Sequence, residues 1–250
     1  VVSIQIFDSN DQLIKTFSTK PNKEKKEAKL NTENGNNIFY WDMMYPGAEK
    51  VKDMILWWAS LNGPMALPGN YKVSLQVGET TKSQNFTILK NPISETSLAD
   101  ATAQFNFIND INTKVTEIHK ALKNVKKVRS QVTSLQKSIN DKLKHSELLD
   151  YADSLLKEMT VIEETLYQTK SKSNQDPLNF PIRLNNKLAH LNSLTRIGSY
   201  APTEQAINFK NEITEEIDNQ LSKLYDLFKI KVKVLNQKVK DSQIDLIQLD

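Results

Sequence analysis

The spacing of apolar residues along the chain changes once, at Asn91-Pro92. Before this dipeptide, apolar and polar residues alternate in short runs separated by Gly, Pro and Asn, which is typical of β-strands joined by turns. After it, apolar residues recur every three or four positions, as they do in amphipathic helices. The change predicts a multi-domain β + α protein, with a β module at residues 1–90, a linker at 91–97 and a helical module at 98–250.

The β module is predicted to be a small sandwich. Residues 2–6 and 12–17 alternate on either side of a polar turn and predict a hairpin. The aromatic-rich run 38–43 predicts a third strand, and residues 71–77 and 80–89 predict a second hairpin. Five or more short strands with turns between them are typical of a β-sandwich, and no helix is predicted in this module.

The helical module is predicted to start with one long helix. Residues 101–144 contain no Gly or Pro and keep the helical spacing of apolar residues throughout. Thr96 or Ser97 is the predicted N-cap, and Asp100 in the first turn complements the helix dipole. The apolar stripe suits either a helical bundle or a coiled-coil seam.

Three further helices are predicted in this module. One runs over residues 146–170, the next from Pro181 to Gly198, and the last from Ala201-Pro202-Thr203 toward Val239. Short connections between consecutive helices favour antiparallel neighbours. The prediction is therefore an antiparallel bundle of three to four helices.

The first residues, Val1 to Phe7, are strand-like and include no initiator Met. A chain that begins within a strand is expected to be cut from a larger protein. We therefore predict a C-terminal fragment whose β module is truncated at its N-terminus.

The charge of the chain limits the classes of binding partner that we expect. The net charge is +3, and residues 1–90 hold 11 basic and 9 acidic residues against 22 and 21 in the remainder. Neither module has a strong electrostatic field, so no nucleic-acid partner is expected. The densest basic run, residues 23–26, is assigned to a loop.

Cysteine is absent, which excludes disulfides and thiolate sites. No apolar stretch approaches the roughly 20 residues that span a bilayer, so no membrane span is expected.

No catalytic residue, cofactor site or metal site is predicted. Di-metal bundles use Glu-x-x-His, but the residues three positions before His119, His145 and His190 are Thr116, Lys142 and Lys187. All three histidines are expected to be structural or solvated. The pair Glu163-Glu164 points in directions about 100° apart on a helix, and no Gly-x-Ser-x-Gly nucleophile turn occurs.

Two groups of residues remain open between a structural and a binding role. Trp41, Trp57 and Trp58 suit either core packing or an aromatic platform for sugars. The Pro-, Asn- and aromatic-rich segment 174–187 suits either a fixed chain reversal or a docking surface. The candidate interaction surface comprises Trp57, Trp58, Asn179, Phe180, Arg183, Asn185, Asn186 and Lys187.

Part of the β module resembles a known domain. The runs Asp11-Gln12-Leu13-Ile14 after Asp8, Phe39-Tyr40-Trp41-Asp42 after Asn36, and Pro68-Gly69-Asn70-Tyr71-Lys72-Val73 resemble the immunoglobulin-like domain of flagellar hook-capping proteins. The resemblance implies an Ig-like sandwich with Trp41-Asp42 on a central strand and Pro68-Gly69 opening the last hairpin. It also implies a structural or adhesive role.

A second resemblance covers nearly the whole chain. Residues 175–187, Gln-Asp-Pro-Leu-Asn-Phe-Pro-Ile-Arg-Leu-Asn-Asn-Lys, together with residues 41–46 and 63–69, resemble the C-terminal region of large bacterial proteins with a sortilin-type or Asp-box (BNR) propeller, often labelled glycosyl hydrolase-like. Met44 departs from the basic residue expected before Tyr45-Pro46. The resemblance implies export to the periplasm or cell exterior, and an upstream propeller as partner in the same chain.

The expected function is a non-catalytic structural or interaction region behind that propeller. Any active site of the parent is expected in the propeller, since no Ser-x-Asp-x-Gly-x-x-Trp box occurs in these residues. One alternative is a carbohydrate- or protein-binding module that uses the exposed aromatics. A remote alternative is a hydrolase with a site between the modules.

Overall fold

The computed structural model describes residues 1–24, 27–242 and 244. Lys25 and Lys26 of the predicted basic loop, and residues 243 and 245–250 of the predicted helical module, lie outside the described residues. The described residues form both strands and helices, which confirms the mixed β + α class.

The chain divides into two compact units, and each unit draws on three separate segments of sequence. The sheet unit comprises the described residues of Val1–Ala48, Asn62–Asp110 and Thr195–Pro202. The helix unit comprises Glu49–Leu61, Ile111–Leu194 and the described residues from Thr203 onward. This division does not follow the predicted boundary at 91–97, because the start of the first helix belongs with the sheet and an irregular segment of the first ninety residues belongs with the helices.

Five strands form one sheet in the described part of the sheet unit, in the order β3-β2-β1-β4-β5. Both predicted hairpins are confirmed: β1 is antiparallel to β2, and β4 to β5. In addition, β1 pairs antiparallel with β4, and β2 pairs parallel with β3. The strands are β1 Val2–Phe7, β2 Leu13–Ser18, β3 Ala28–Lys29, β4 Gly69–Val77 and β5 Thr80–Ile88.

The predicted third strand at residues 38–43 is wrong, because this segment has no strand pairing. Two of its aromatic residues, Phe39 and Trp41, still pack against the sheet core, and the Trp41 ring is centred 5.9 Å from that of Tyr71 at an angle of 62°. The backbone turns locally instead, since the Asp42 Oδ1 atom accepts a hydrogen bond from the Met44 N–H at 3.0 Å. The aromatic-rich run therefore predicted strand pairing incorrectly, and only Phe39 and Trp41 of the run are half-buried, while Ile38 and Tyr40 are exposed.

An apolar core cluster lies against the sheet in the sheet unit. Its buried members come mainly from the strands and are Ile6, Ile14, Phe17, Leu30, Ala66 and Tyr71. Phe39, Trp41 and Tyr45 of the irregular segment pack against this cluster. Irregular chain, rather than a second described sheet, thus covers the core.

The helices are longer than the strands and dominate the rest of the chain. They are α1 Leu98–Ser138, α2 Ser146–Leu166, α3 Leu184–Thr195, α4 Glu204–Asp226 and α5 Val232–Asp241, with a 3₁₀ turn at Asp176–Leu178 and a π segment at Leu227–Lys231. At 1.5 Å per residue the 41 residues of α1 extend about 60 Å.

Ser97, one of the two predicted N-cap residues of α1, is confirmed, whereas three predicted helix ends are displaced. The Ser97 Oγ accepts from the Asp100 N–H at 3.0 Å, and the Thr203 Oγ1 accepts from the Ala206 N–H at 3.2 Å. These side chains satisfy amides that the first turn of a helix leaves without a partner. However, α1 ends at Ser138 rather than 144, α2 at Leu166 rather than 170, and α3 begins at Leu184 rather than Pro181.

In the helix unit, α2 contacts both α4 and α5. The apolar stripe predicted for α1 is largely buried, and the fully buried side chains of the unit include Ile111, Val115, Ile118, Leu122, Leu155, Met159, Leu166, Leu188, Ile217, Leu221 and Leu224. Ion pairs join α1 to its neighbours: Lys114 Nζ lies 2.5 Å from Asp218 Oδ1, and Arg129 Nη2 lies 2.6 Å from Glu163 Oε2. Glu163 therefore has a structural partner.

Gly63 lies where two backbone segments of the sheet unit approach closely. A Cβ atom on this residue would lie 2.0 Å from the carbonyl oxygen of Tyr45 and 2.5 Å from that of Pro46. The Tyr45 N–H donates to the Pro64 carbonyl oxygen at 2.9 Å, which holds the segments at this separation. Only a residue without a side chain fits this position.

We expect Gly63→Ala to lower the free energy of unfolding by about 2 kcal/mol or more, because the added methyl group meets backbone atoms that cannot rotate away. Thermal and urea unfolding followed by circular dichroism measure the change. Met65→Ala, two residues away and 60% exposed in the native chain, is the matched control and should change stability little. A Gly63→Ala protein as stable as this control would contradict the packing argument.

Candidate functional site

The segment Glu49–Leu61 has no regular secondary structure and is held against α3 by hydrogen bonds within the helix unit. The Trp57 N–H donates to the Asn186 Oδ1 atom at 2.6 Å, and the Asn186 Nδ2 donates to the Trp57 carbonyl oxygen at 2.9 Å. The Ser60 N–H donates to the Ala189 carbonyl oxygen at 3.0 Å. One side-chain amide thus satisfies both backbone groups of Trp57, as a neighbouring strand would.

Two members of the candidate interaction surface are interior residues. Asn185 is 0% exposed and Asn186 is 4% exposed. The Asn185 Nδ2 atom lies 3.4 Å from the sulfur of Met54, so this residue also contacts the irregular segment. For these two asparagines the structure favours the structural role over the docking role, because neither is accessible to a binding partner.

Trp58, by contrast, is presented to solvent. Its side chain is 74% exposed, and its backbone has a φ of +50°, in the left-handed region that bulky residues avoid. Its ring centroid lies 5.9 Å from that of Trp57 and 6.5 Å from that of His190, with tilts of 51° and 49°. Trp57 is half-buried beneath the same loop.

The remaining surface candidates fall into two places. Arg183 and Lys187 are exposed and lie one turn apart along the start of α3. Asn179 and Phe180 lie in the turn before α3, where both N–H groups donate to the Asp176 carbonyl oxygen, at 2.8 and 2.9 Å. The structure thus brings Trp57 into contact with Asn186 on α3, and it places Asn179 and Phe180 in the preceding turn.

Asp176 organises that turn. Its carboxylate accepts from the N–H groups of Lys172 at 2.6 Å and Ser173 at 2.9 Å, and from the Ser173 hydroxyl at 2.7 Å. These hydrogen bonds, the Lys172 N–H first, favour the ionised form and lower the pKa of Asp176. Gln168 closes the other side of the loop, since its Nε2 donates to the Pro181 carbonyl oxygen at 2.8 Å.

His119 anchors the start of the irregular segment. The ring is completely buried, and its Nδ1 lies 2.5 Å from the carbonyl oxygen of Glu49, so Nδ1 carries a proton and donates it. The Nε2 atom is buried and has no hydrogen-bond partner among the described residues. Burial lowers the pKa of His119, because a charged ring would be desolvated and would have an unpaired Nε2–H.

The three histidines lie in different surroundings. His119 is a core residue, His145 lies half-buried in the turn before α2, and His190 supports Trp58. Across residues 1–24, 27–242 and 244, no three His, Cys, Asp or Glu side chains are grouped in a way that could hold a metal ion. In the same ranges, no helix combines the length and apolar character needed to cross a membrane.

The sheet unit contains a separate cavity of about 570 Å³ beside the start of α1. Its walls are mainly apolar and include Met43, Met65, Leu67, Leu98, Phe105 and Ile108. The amide of Gln104, also in the wall, donates from Nε2 to the Thr195 carbonyl oxygen at 2.7 Å and the Gly198 carbonyl oxygen at 3.1 Å. The Nε2 group of Gln104 therefore joins α1 to the Thr195–Pro202 segment of the same unit.

Comparison with protein-family models, with curated proteins and with solved structures gives no match to this chain.

Sequence reasoning missed His190 as a neighbour of Trp58 and His119 as an anchor of the irregular segment. For His190 a signal existed: it lies four residues after Asn186 and three after Lys187, on one side of a predicted helix. For His119 no such signal existed, because Glu49 is 70 residues away and contributes a backbone carbonyl.

The left-handed backbone at Trp58 yields a stability prediction. We expect Trp58→Gly to be about 0.5–1 kcal/mol more stable than Trp58→Ala, because glycine relieves the steric cost of positive φ while both variants lack the indole. Urea unfolding measures the difference. At Ala59, where φ is not positive, Gly in place of Ala should destabilise instead. Equal stability of the two Trp58 variants would contradict the strain.

The buried ring of His119 predicts a pH dependence. Its pKa is lower in the folded chain than its ordinary value of 6.5. As the pH falls below about 6.5, the unfolded chain therefore binds a proton that the folded chain does not, and stability falls with a slope of up to about 1.4 kcal/mol per pH unit. His119→Gln should lose less stability than the native chain between about pH 7.5 and about pH 5.5. Parallel curves for the two proteins would exclude His119 as the titrating group.

Proposed function

We propose that this chain is a non-catalytic structural and interaction region, located C-terminal to a propeller in an exported bacterial protein. The support is the resemblance of residues 41–46, 63–69 and 175–187 to the tails of sortilin-type or Asp-box propeller proteins. The upstream propeller is the proposed partner within the same chain. The proposed location is the periplasm or the cell exterior.

The finer fold that we propose is an Ig-like domain followed by an antiparallel bundle. The antiparallel pairings β1–β2, β1–β4 and β4–β5 suit an Ig-like sheet. Packing of Trp41 on Tyr71 and Phe86 suits the core tryptophan of such a domain. Contacts of α2 with α4 and α5 suit a bundle.

The observation that carries the proposal is the double hydrogen bond between Asn186 and Trp57. Asn186 belongs to the most specific motif in the sequence, residues 175–187, and both its amide oxygen and its amide nitrogen hydrogen-bond to the chain's own backbone. Asp176, in the same motif, is likewise used in shaping its own loop. A motif whose polar groups hold the chain together supports an architectural role.

Two experiments test the proposal. The first is the coding sequence upstream of Val1, where Ser-x-Asp-x-Gly-x-x-Trp repeats are expected. The second is an assay of the purified chain against chromogenic glycosides, esters and peptides, where no turnover above the buffer blank is expected. An upstream region without propeller repeats would overturn the proposed parent. Hydrolysis of a substrate by the purified chain, abolished by a point substitution in it, would overturn the non-catalytic role.

A further inference from the structure

The backbone around Trp58 is unfavourable for the chain and yet firmly held. A bulky residue at a φ of +50° costs about 1–2 kcal/mol, and an indole that remains 74% exposed regains little of this through packing. The flanking hydrogen bonds, from Trp57 to Asn186 and from Ser60 to Ala189, fix the loop on both sides. The result is a large aromatic side chain presented to solvent by a rigid support.

We propose that Trp58, His190 and Lys187 form a binding platform for an anionic saccharide, a sugar that bears a carboxylate or a sulfate. A pyranose ring has a face of C–H groups, whose partial positive charge complements the negative face of an indole. The imidazole of His190, centred 6.5 Å from the Trp58 ring, extends the aromatic surface along α3. Rigid support lowers the entropy lost when such a ligand binds.

The charge of the platform selects the anionic ligand. Lys187 is exposed, lies three residues before His190 on the same side of α3, and has no ion-pair partner among the described residues. Arg183, one turn earlier, is also exposed and unpaired within the described part of the chain. No Asp or Glu occurs at residues 54–61 around Trp58 or in α3, Leu184–Thr195, whereas α3 carries the cationic Lys187. The acidic residues of the irregular segment, Glu49 and Asp53, precede this stretch.

A saccharide fits this surface better than a protein partner. A contiguous exposed apolar patch of several hundred Å² would mark a site for a protein partner. Here a single exposed indole lies beside the imidazole of His190, and the exposed Lys187 is one turn before His190 on α3, so hydrogen-bonding and charged groups accompany the aromatic ring. This inference goes beyond the architectural role of the chain and does not depend on the identity of the parent protein.

The test is binding of the purified chain to a glycan array that holds uronate- and sulfate-bearing oligosaccharides beside neutral ones. The best anionic binder is then titrated by calorimetry, together with its carboxyl methyl ester or desulfated form. We expect binding of the anionic form, with affinity that falls as salt rises. Trp58→Ala should weaken it by about tenfold or more, the loss typical of a truncated aromatic anchor. Trp58→Phe should retain part of the affinity.

Lys187→Gln should weaken binding and flatten its salt dependence, because it removes the proposed cationic contact. Tyr40→Ala, which removes an 83% exposed ring from the sheet unit, is the matched control and should bind like the native chain. Circular dichroism establishes that each variant is folded. Absence of any anionic binder, equal binding of the neutral derivative, or affinity unchanged by Trp58→Ala would each overturn the proposal. So would a protein ligand that binds at Trp58 in place of any glycan.

Discussion

The pairing of the Asn186 amide with both backbone groups of Trp57 is the interaction on which the irregular part of the helix unit depends. A segment without helix or strand must find other partners for its buried backbone groups. Here side chains supply them: the Thr116 hydroxyl accepts from the Glu49 N–H at 3.0 Å, and the Tyr167 hydroxyl accepts from the Ile55 N–H at 3.3 Å. Side chains from the helices thus hold a segment that has no regular secondary structure in a defined conformation.

Local periodicity explains which parts of the fold were predictable. The hairpins and the helices were predicted because alternation and helical spacing are properties of neighbouring residues. The strand predicted at residues 38–43 failed because an aromatic-rich run can also pack some of its side chains on a sheet without backbone pairing, as Phe39 and Trp41 do here. The helix ends shifted because local side-chain and backbone geometry, such as the extended Tyr167 after α2, decides where a helix stops.

The sequence indicated which residues make up the candidate site, but not which of them are exposed or in contact with one another. The sequence singled out Trp57, Trp58 and the 174–187 segment correctly as a region of unusual residues. It could not distinguish the buried Asn186 from the exposed Lys187, since their burial depends on an irregular segment that is remote in sequence. The contact of Trp58 with His190 on α3 depends on the same packing of the irregular segment against α3, so the sequence did not reveal it either.

The discontinuous sheet unit has a consequence for synthesis of the chain. Its third segment, Thr195–Pro202, emerges from the ribosome well after the strands. Arg196 in that segment donates from Nη1 to the Gly63 carbonyl oxygen at 2.5 Å, across 133 residues of sequence. The sheet unit is therefore completed only after most of the helices have been translated. During translation, the contacts of residues 195–202 with the rest of the sheet unit can form only after these later residues have been synthesised.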